Sequence, residues 1–206
     1  MKSIIAISML LLAQAAYSCP EGQVCSGQVV IPDNYTRGFA EVIAINTSTD
    51  VITVKGNLSR DFHRYPMSQL ALTEGCLDRI CVDNKVIPDS YTKGYADVKA
   101  INYHSNRFVV KGNFSNEYHR YRSDKMAKTR GCLRGICVGD KVFPDSYSRG
   151  YAEVRAINHD SRKYVVKGNL SDKYHRYEKR ELALMEACHD YSDDERHGRH
   201  RRGGRP

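Results

Sequence analysis

The chain contains no tryptophan, only five phenylalanines among 206 residues, and no long apolar run after its N-terminal segment. So little large apolar surface argues against one extensive core. Nothing past the N-terminus is long and apolar enough to read as a membrane span. The patterns that announce common chemistries are missing too. There is no HExxH pair, no glycine-rich phosphate loop behind a strand, and no Ser-His-Asp order that stands out. With no catalytic constellation, no metal-ligand set and no cofactor fingerprint, the chain is expected to be non-enzymatic.

What the chain has instead is repetition. The phrases VIPDNYTRGFAEVIAIN, VIPDSYTKGYADVKAIN and VFPDSYSRGYAEVRAIN begin at Val30, Val86 and Val142. Each is followed by VKGNLSRDFHRY, VKGNFSNEYHRY or VKGNLSDKYHRY. A fixed period of 56 residues makes the folding unit one small module in three copies. The copies are expected over residues 19–75, 76–131 and 132–188. Residues 1–18 read as a secretory signal peptide: Lys2, an apolar stretch from Ile4 to Leu12, then Ala16-Tyr17-Ser18 before Cys19. Residues 189–206 form a polar, basic tail that is expected to be disordered.

Seven cysteines follow the period. Cys25, Cys81 and Cys137 open the copies; Cys76, Cys132 and Cys188 close them; Cys19 is left at the start of the exported chain. Export permits disulfides, and modules this small need them. Two pairings compete. Self-closed modules would join Cys25–Cys76, Cys81–Cys132 and Cys137–Cys188, each with a spacing of 51. Junction pairing would join Cys19–Cys25, Cys76–Cys81 and Cys132–Cys137. The first is favoured because it yields three identical modules, and each long loop would contribute about 4 kcal/mol on the chain-entropy model. Cys19 is also a lipidation candidate: Ser18 fits a bacterial lipoprotein signal, whereas the bulky Tyr17 does not. The protein is therefore expected to be periplasmic or secreted, with a membrane anchor only if Cys19 is lipidated.

Within a copy, short strands alternate with turn-forming clusters. In the third copy Ala152, Val154 and Ala156 alternate on one face, with Glu153 and Arg155 opposite. On the next strand Ile52, Phe108 and Tyr164, with Val54, Val110 and Val166, are expected inward. Thr53, Val109 and Val165, with Lys55, Lys111 and Lys167, are expected outward. The fold class is therefore all-β, built of four or five short antiparallel strands per copy. The sequence Val138-Gly139-Asp140-x-Val142 followed by Gly150-x-Ala152-x-Val154-x-x-Ile157 resembles SH3-like or Tudor-like small barrels. The tandem form with bracketing cysteines resembles secreted repeat proteins of Gram-negative bacteria. That resemblance implies three tandem SH3-like β-barrels, each closed by one disulfide, that bind rather than catalyse.

Two sets of residues are candidates for ligand binding. The loop tyrosines Tyr35, Tyr91 and Tyr147, with the aromatics after the glycine, Phe39, Tyr95 and Tyr151, either line one groove per module or cap its open end. The His-Arg-Tyr triplets offer His63 and Arg64, His119 and Arg120, and His175 and Arg176, either to an anionic or carbohydrate ligand or to the sheet itself. On a strand the His and Tyr share one face and Arg takes the other. The Asn-Leu-Ser and Asn-Phe-Ser triplets at Asn57, Asn113 and Asn169 match glycosylation acceptors, but they fall where a strand-to-strand turn wants Gly-Asn and read as turns unless the host is eukaryotic.

Charge is uneven. Residues 19–75 carry four Lys/Arg against six Asp/Glu, residues 76–131 eleven against six, and residues 132–188 eleven against eight. Multivalent binding to a cell-envelope component, such as cell-wall glycan or peptide, or to another protein, is the leading expectation. Polyanion or nucleic-acid binding by the two basic copies and the tail is the alternative, and a structural spacer the third.

Overall fold

The computed structural model describes residues 19–59 and 61–185. The signal-peptide reading, the basic tail and Cys188 lie outside the described residues. The first copy contains β1 (Val29–Pro32), β2 (Ala40–Asn46), β3 (Val51–Gly56), β4 (Phe62–Pro66) and β5 (Leu70–Leu72), with a 3-10 turn at Met67–Gln69 before β5. A two-stranded hairpin follows, β6 (Cys76–Leu77) and β7 (Ile80–Cys81). The second copy repeats this as β8 (Lys85–Pro88), β9 (Ala96–Asn102), β10 (Arg107–Gly112), β11 (Tyr118–Arg122) and β12 (Met126–Lys128). Hairpin β13 (Cys132–Leu133) and β14 (Ile136–Cys137) leads to the third copy. That copy comprises β15 (Lys141–Pro144), β16 (Ala152–Asn158), β17 (Lys163–Gly168), β18 (Tyr174–Glu178) and β19 (Leu182–Leu184). The chain is all-β, as its alternating apolar residues require.

Contacts divide the chain into two units, and the division runs through the second copy. One unit holds residues up to Asn84 together with Ala96–Ser123; the other holds Lys85–Tyr95 together with the residues from Asp124 onward. In the first unit β1 to β4 form a meander, and β5 returns to pair with β1 at Val30↔Leu72, Ile31↔Ala71 and Pro32↔Leu70. The other edge of β5 pairs with β9 at Leu72↔Ile101. In the second unit β12 pairs with β8 and, at Lys128↔Ile157, with β16. The sheets stay open, unlike the closed barrels expected from the sequence. In the first two copies the outer edge of the fifth strand pairs with the second strand of the next copy.

Two inward/outward assignments change. Pairing slips by one residue at Ile43, Lys99 and Arg155, a β-bulge in each copy's second strand. A bulge turns the residues after it to the opposite face. Val42 and Val154 therefore stay in their own copies' cores. Ala156 does not share a face with Val154: it joins Ile87, Ala127 and Val165 on the other side. Val109 and Val165, expected outward, are buried at 0% and 1% exposure. Their cover is the preceding copy: Val109 and Ala100 pack on Ile31 and Ala71. The inward set is where the pattern puts it, with Ile52 and Val54 in the first core and Tyr164 and Val166 in the third.

The disulfides correct the favoured pairing. Cys19 is joined to Cys25, Cys76 to Cys81 and Cys132 to Cys137. In the hairpins these cysteines stand directly opposite one another, Cys76↔Cys81 and Cys132↔Cys137. The two-residue turns between them have positive φ at Asp78 and Arg79, and at Arg134 and Gly135, as a type I′ turn needs. The turn thus brings the two sulfurs together locally, before any long loop could close. The disulfides head the copies rather than closing them, and Cys188 is the cysteine this pairing leaves over. The Cys19 sulfur lies in a disulfide, which is incompatible with a thioether lipid on the same atom. Disulfides are compatible with an oxidising, exported compartment.

A short loop constrains the unfolded chain less than a long one. Replacing both Cys76 and Cys81 by Ala should therefore cost about 2 kcal/mol rather than the roughly 4 kcal/mol of a long loop. Urea unfolding measures this. Alkylation without reduction, followed by peptide mapping, should leave Cys19 unlabelled; a labelled Cys19 would restore the self-closed pairing.

Candidate binding site

The loop after each first strand begins with Pro-Asp and folds its tyrosine back toward the core. Tyr35 packs against the first core, and Tyr147 against the third. A side chain at Gly56 or Gly168 would meet the tyrosine hydroxyl at 2.6 Å, so glycine at those positions makes room for the ring. Burial raises the Tyr35 pKa above its ordinary value, and Tyr65 adds to the effect. Tyr147 is raised in the same way, by burial first and then by Tyr177, whose ring it meets edge-on with centroids 6.5 Å apart. Tyr91 packs with Tyr95 and Tyr174 on the cluster built from Ile87, Ala127, Ala156 and Val165. The loop tyrosines are thus held largely by packing.

The aromatic after the glycine is placed differently. Phe39 is 44% exposed. Its backbone N–H donates to Asn57 Oδ1 at 2.7 Å, and Tyr151 N–H donates to Asn169 Oδ1 at 2.8 Å. The backbone N–H groups of Asn57 and Asn169 donate back to the carbonyls of Phe39 and Tyr151, both within 2.9 Å. Gly38 and Gly150 sit at this crossing with φ of 77° and 75°, a conformation that only glycine adopts without strain. Lys85 Nζ stands 4.7 Å from the Tyr95 ring centroid, and Lys141 Nζ 5.5 Å from that of Tyr151. This paired-loop geometry places Leu58 against Gly38, the residue before Phe39, and Leu170 against Gly150 and in one groove with Tyr151. The residues after the three asparagines are Leu58, Phe114 and Leu170, exposed by 73%, 72% and 73%. The sequence reading missed them by treating their triplets as turns alone. The available signal was a large apolar side chain at the same turn position in all three copies, where turns are ordinarily polar.

Grooves form beside these tips. In the first unit Leu58, Gly38, Arg37, Thr36, Asn57, Lys111, Asn116 and Tyr118 line an open groove of about 670 Å³. In the second unit Tyr151, Leu170, Glu153, Arg155, Lys167 and Asp172 contribute to one of about 450 Å³. Ion pairs fix its polar wall: Arg155 with Glu153, and Lys167 with Asp172 at 3.1 Å. Arg155, which makes the first of these pairs, is the bulge residue of β16. The grooves combine an apolar tip with interspersed charges of both signs.

The His-Arg-Tyr triplets divide as period two requires. His63 and Tyr65 lie opposite Val54 and Ile52, on the core side. Their rings are 6.5 Å apart. His119 and His175 are exposed on β11 and β18. The arginines do something the sequence did not show. Arg120 Nη2 donates to the carbonyls of Pro32 and Tyr35 at 2.8 and 3.1 Å. Its Nε lies 3.5 Å from Asp33 Oδ1, an ion-pair distance without the alignment of a hydrogen bond. Arg176 makes the same contacts to Pro88, Tyr91 and Asp89, at 2.8, 3.2 and 3.4 Å. Both arginines therefore clamp one copy to the preceding one. Arg64, the matching residue of the first copy, is exposed.

The structure thus brings Leu58 against Gly38, the residue before Phe39, and Leu170 into one groove with Tyr151. It directs Tyr35, Tyr91 and Tyr147 into packing, and Arg120 and Arg176 into the junctions. No protein-family model matches the chain, and no curated protein sequence matches it.

Proposed function

We propose that this is an exported, non-catalytic, multivalent binding protein that acts at the cell envelope. Each copy is read as an SH3-like module, a reading supported by the four-strand meander whose fifth strand returns to the first. The observation that carries the binding proposal is the threefold exposure of Leu58, Phe114 and Leu170 at one turn position. Large apolar groups held in water at equivalent places suit contact with a partner. Leu170 shares its groove with the Tyr151 ring and with charges of both signs, and Leu58 shares its own with Arg37, Lys111 and Tyr118. Such a site fits a ligand with apolar faces and polar edges, as cell-wall glycan and its attached peptide have. Linked weak sites raise effective concentration, so no single copy must bind tightly.

Co-sedimentation with purified peptidoglycan at low and high salt tests this. The wild type should sediment in both buffers. A triple variant, Leu58→Ser, Phe114→Ser and Leu170→Ser, should remain in the supernatant. Its stability should stay within about 0.5 kcal/mol per site, because these side chains are exposed. Sedimentation that collapses steeply with salt would transfer the reading to polyanion binding. Failure to sediment in either buffer would sink the cell-wall proposal.

A further inference from the structure

The junction between copies occurs twice and uses the same parts. An apolar pair on the earlier copy, Ile31 and Ala71 or Ile87 and Ala127, meets Ala100 and Val109 or Ala156 and Val165 on the later one. The arginine clamps described above reach the Pro-Asp loop. The Tyr118 and Tyr174 N–H groups donate to the carbonyls of Thr36 and Thr92, each at 2.7 Å. Asn102 and Asn158 donate from Nδ2 to the carbonyls of Ser68 and Asp124 at 2.9 and 2.8 Å. The contact is heterologous: the later copy contributes one surface and the earlier copy a different one.

Each surface therefore exists once more, and among the described residues it has no mate. The first copy carries the arginine-bearing surface, and there Ala44, Asn46 and Arg64 are exposed and Phe62 is 62% exposed. Their counterparts Ala100 and Asn102 are buried to 0% and 1%. The third copy carries the receiving surface: Phe143, 40% exposed, stands where Ile31 and Ile87 are 2% exposed. Ala183 and Asp145 beside it are exposed as well. Among the described residues neither Arg64 nor the Asp145 carboxylate has an ion-pair partner. The side chains at the two unmated surfaces also compensate in size. Phe143 replaces the smaller isoleucine on one side, and Thr53 replaces valine on the other. Charge agrees too, since the first copy is net acidic and the third net basic.

We propose that the partner for both surfaces is a second copy of this chain. Arg64 of one molecule enters the Pro144-Asp145 loop of the next, in the way Arg120 and Arg176 enter theirs. Because the two patches differ, each docked molecule offers a fresh patch, and the assembly grows head to tail. This inference does not depend on the ligand-binding proposal.

Sedimentation velocity on the full chain over a range of concentrations tests it. The weight-average mass of the wild type should rise with concentration, and less so at high salt. Arg64→Glu and Phe143→Glu should each weaken self-association by about thirtyfold or more, the usual scale for leaving a charge unpaired in an interface. Mixing the two variants is decisive, since Phe143→Glu retains an intact Arg64 surface, Arg64→Glu retains an intact Phe143–Asp145 surface, and the two altered surfaces, both bearing glutamate, repel. The mixture should form one-to-one dimers that neither variant forms alone. Because both positions are exposed, circular dichroism and melting of each variant should match the wild type. A wild type that stays monomeric at all concentrations would overturn the proposal. So would variants that associate alone as the wild type does, or a mixture that gives no dimer.

Discussion

Arg120→Ala should destabilise the chain by about 2–3 kcal/mol, whereas Arg64→Ala should change stability by less than about 0.5 kcal/mol. The two residues are the same member of the same His-Arg-Tyr triplet, and local propensity is nearly identical at both. Only the surroundings differ. Arg120 gives charge-assisted hydrogen bonds to the carbonyls of Pro32 and Tyr35 and faces Asp33 at 3.5 Å. Its side chain is 18% exposed, so removing it strands two acceptors and a carboxylate in a partly desolvated site. Arg64 has water where Arg120 has the preceding copy. Urea unfolding at constant ionic strength reads the difference as a shift in midpoint at unchanged slope. Equal losses at the two positions would mean that the arginine supports its own strand, and the junction would lose its principal polar contact.

Much of the module was legible from sequence because three copies vary around one pattern. Ile52, Phe108 and Tyr164 differ in chemistry but share bulk, which marks a core position without knowledge of the fold. Period two then placed His63 with Tyr65 and set Arg64 apart. The misreadings have one physical source: features that depend on something other than the strand itself. The bulge at Ile43, Lys99 and Arg155 leaves no composition signal, so Ala156 was given to the wrong face. Val109 and Val165 were assigned outward because a module considered alone has a solvent side. Their cover comes from the neighbouring copy, and the matched Thr53, polar and only half-buried, was the available hint. The cysteines show the same limit. A spacing of 51 describes the period of the sequence. Pairing follows the two-residue turn that puts Cys76 opposite Cys81. The exposed Leu58, Phe114 and Leu170 were hidden by a reading of their triplets that accounted for the asparagine and ignored what followed it.

Val109→Lys should cost about 3–5 kcal/mol, the scale of an uncompensated buried charge, while Thr53→Lys should cost under about 1 kcal/mol. Position 109 is fully buried against Ile31, Ala71 and Ala100, with Tyr35 and Tyr118 packed around it. An ammonium there has no acceptor waiting. Its neighbour across the strand pair is Arg120, whose like charge adds repulsion, and Asp33 already faces Arg120. Desolvation and that repulsion would both lower the pKa of the introduced lysine. The sign follows from linkage. With the folded pKa depressed below the unfolded value near 10.4, the penalty is full below the folded pKa and shrinks as pH rises toward the unfolded one. Val109→Met supplies the uncharged control: it overfills the site and should cost about 1–3 kcal/mol, with no such pH dependence. The same lysine at position 53 can extend into water, because Thr53 is only half-buried. Urea unfolding of the four chains at pH 7 and pH 9 separates the cases. A Val109→Lys chain as stable as Thr53→Lys would mean that the face of β10 is open in solution, and that the copies do not pack on one another as the junction requires.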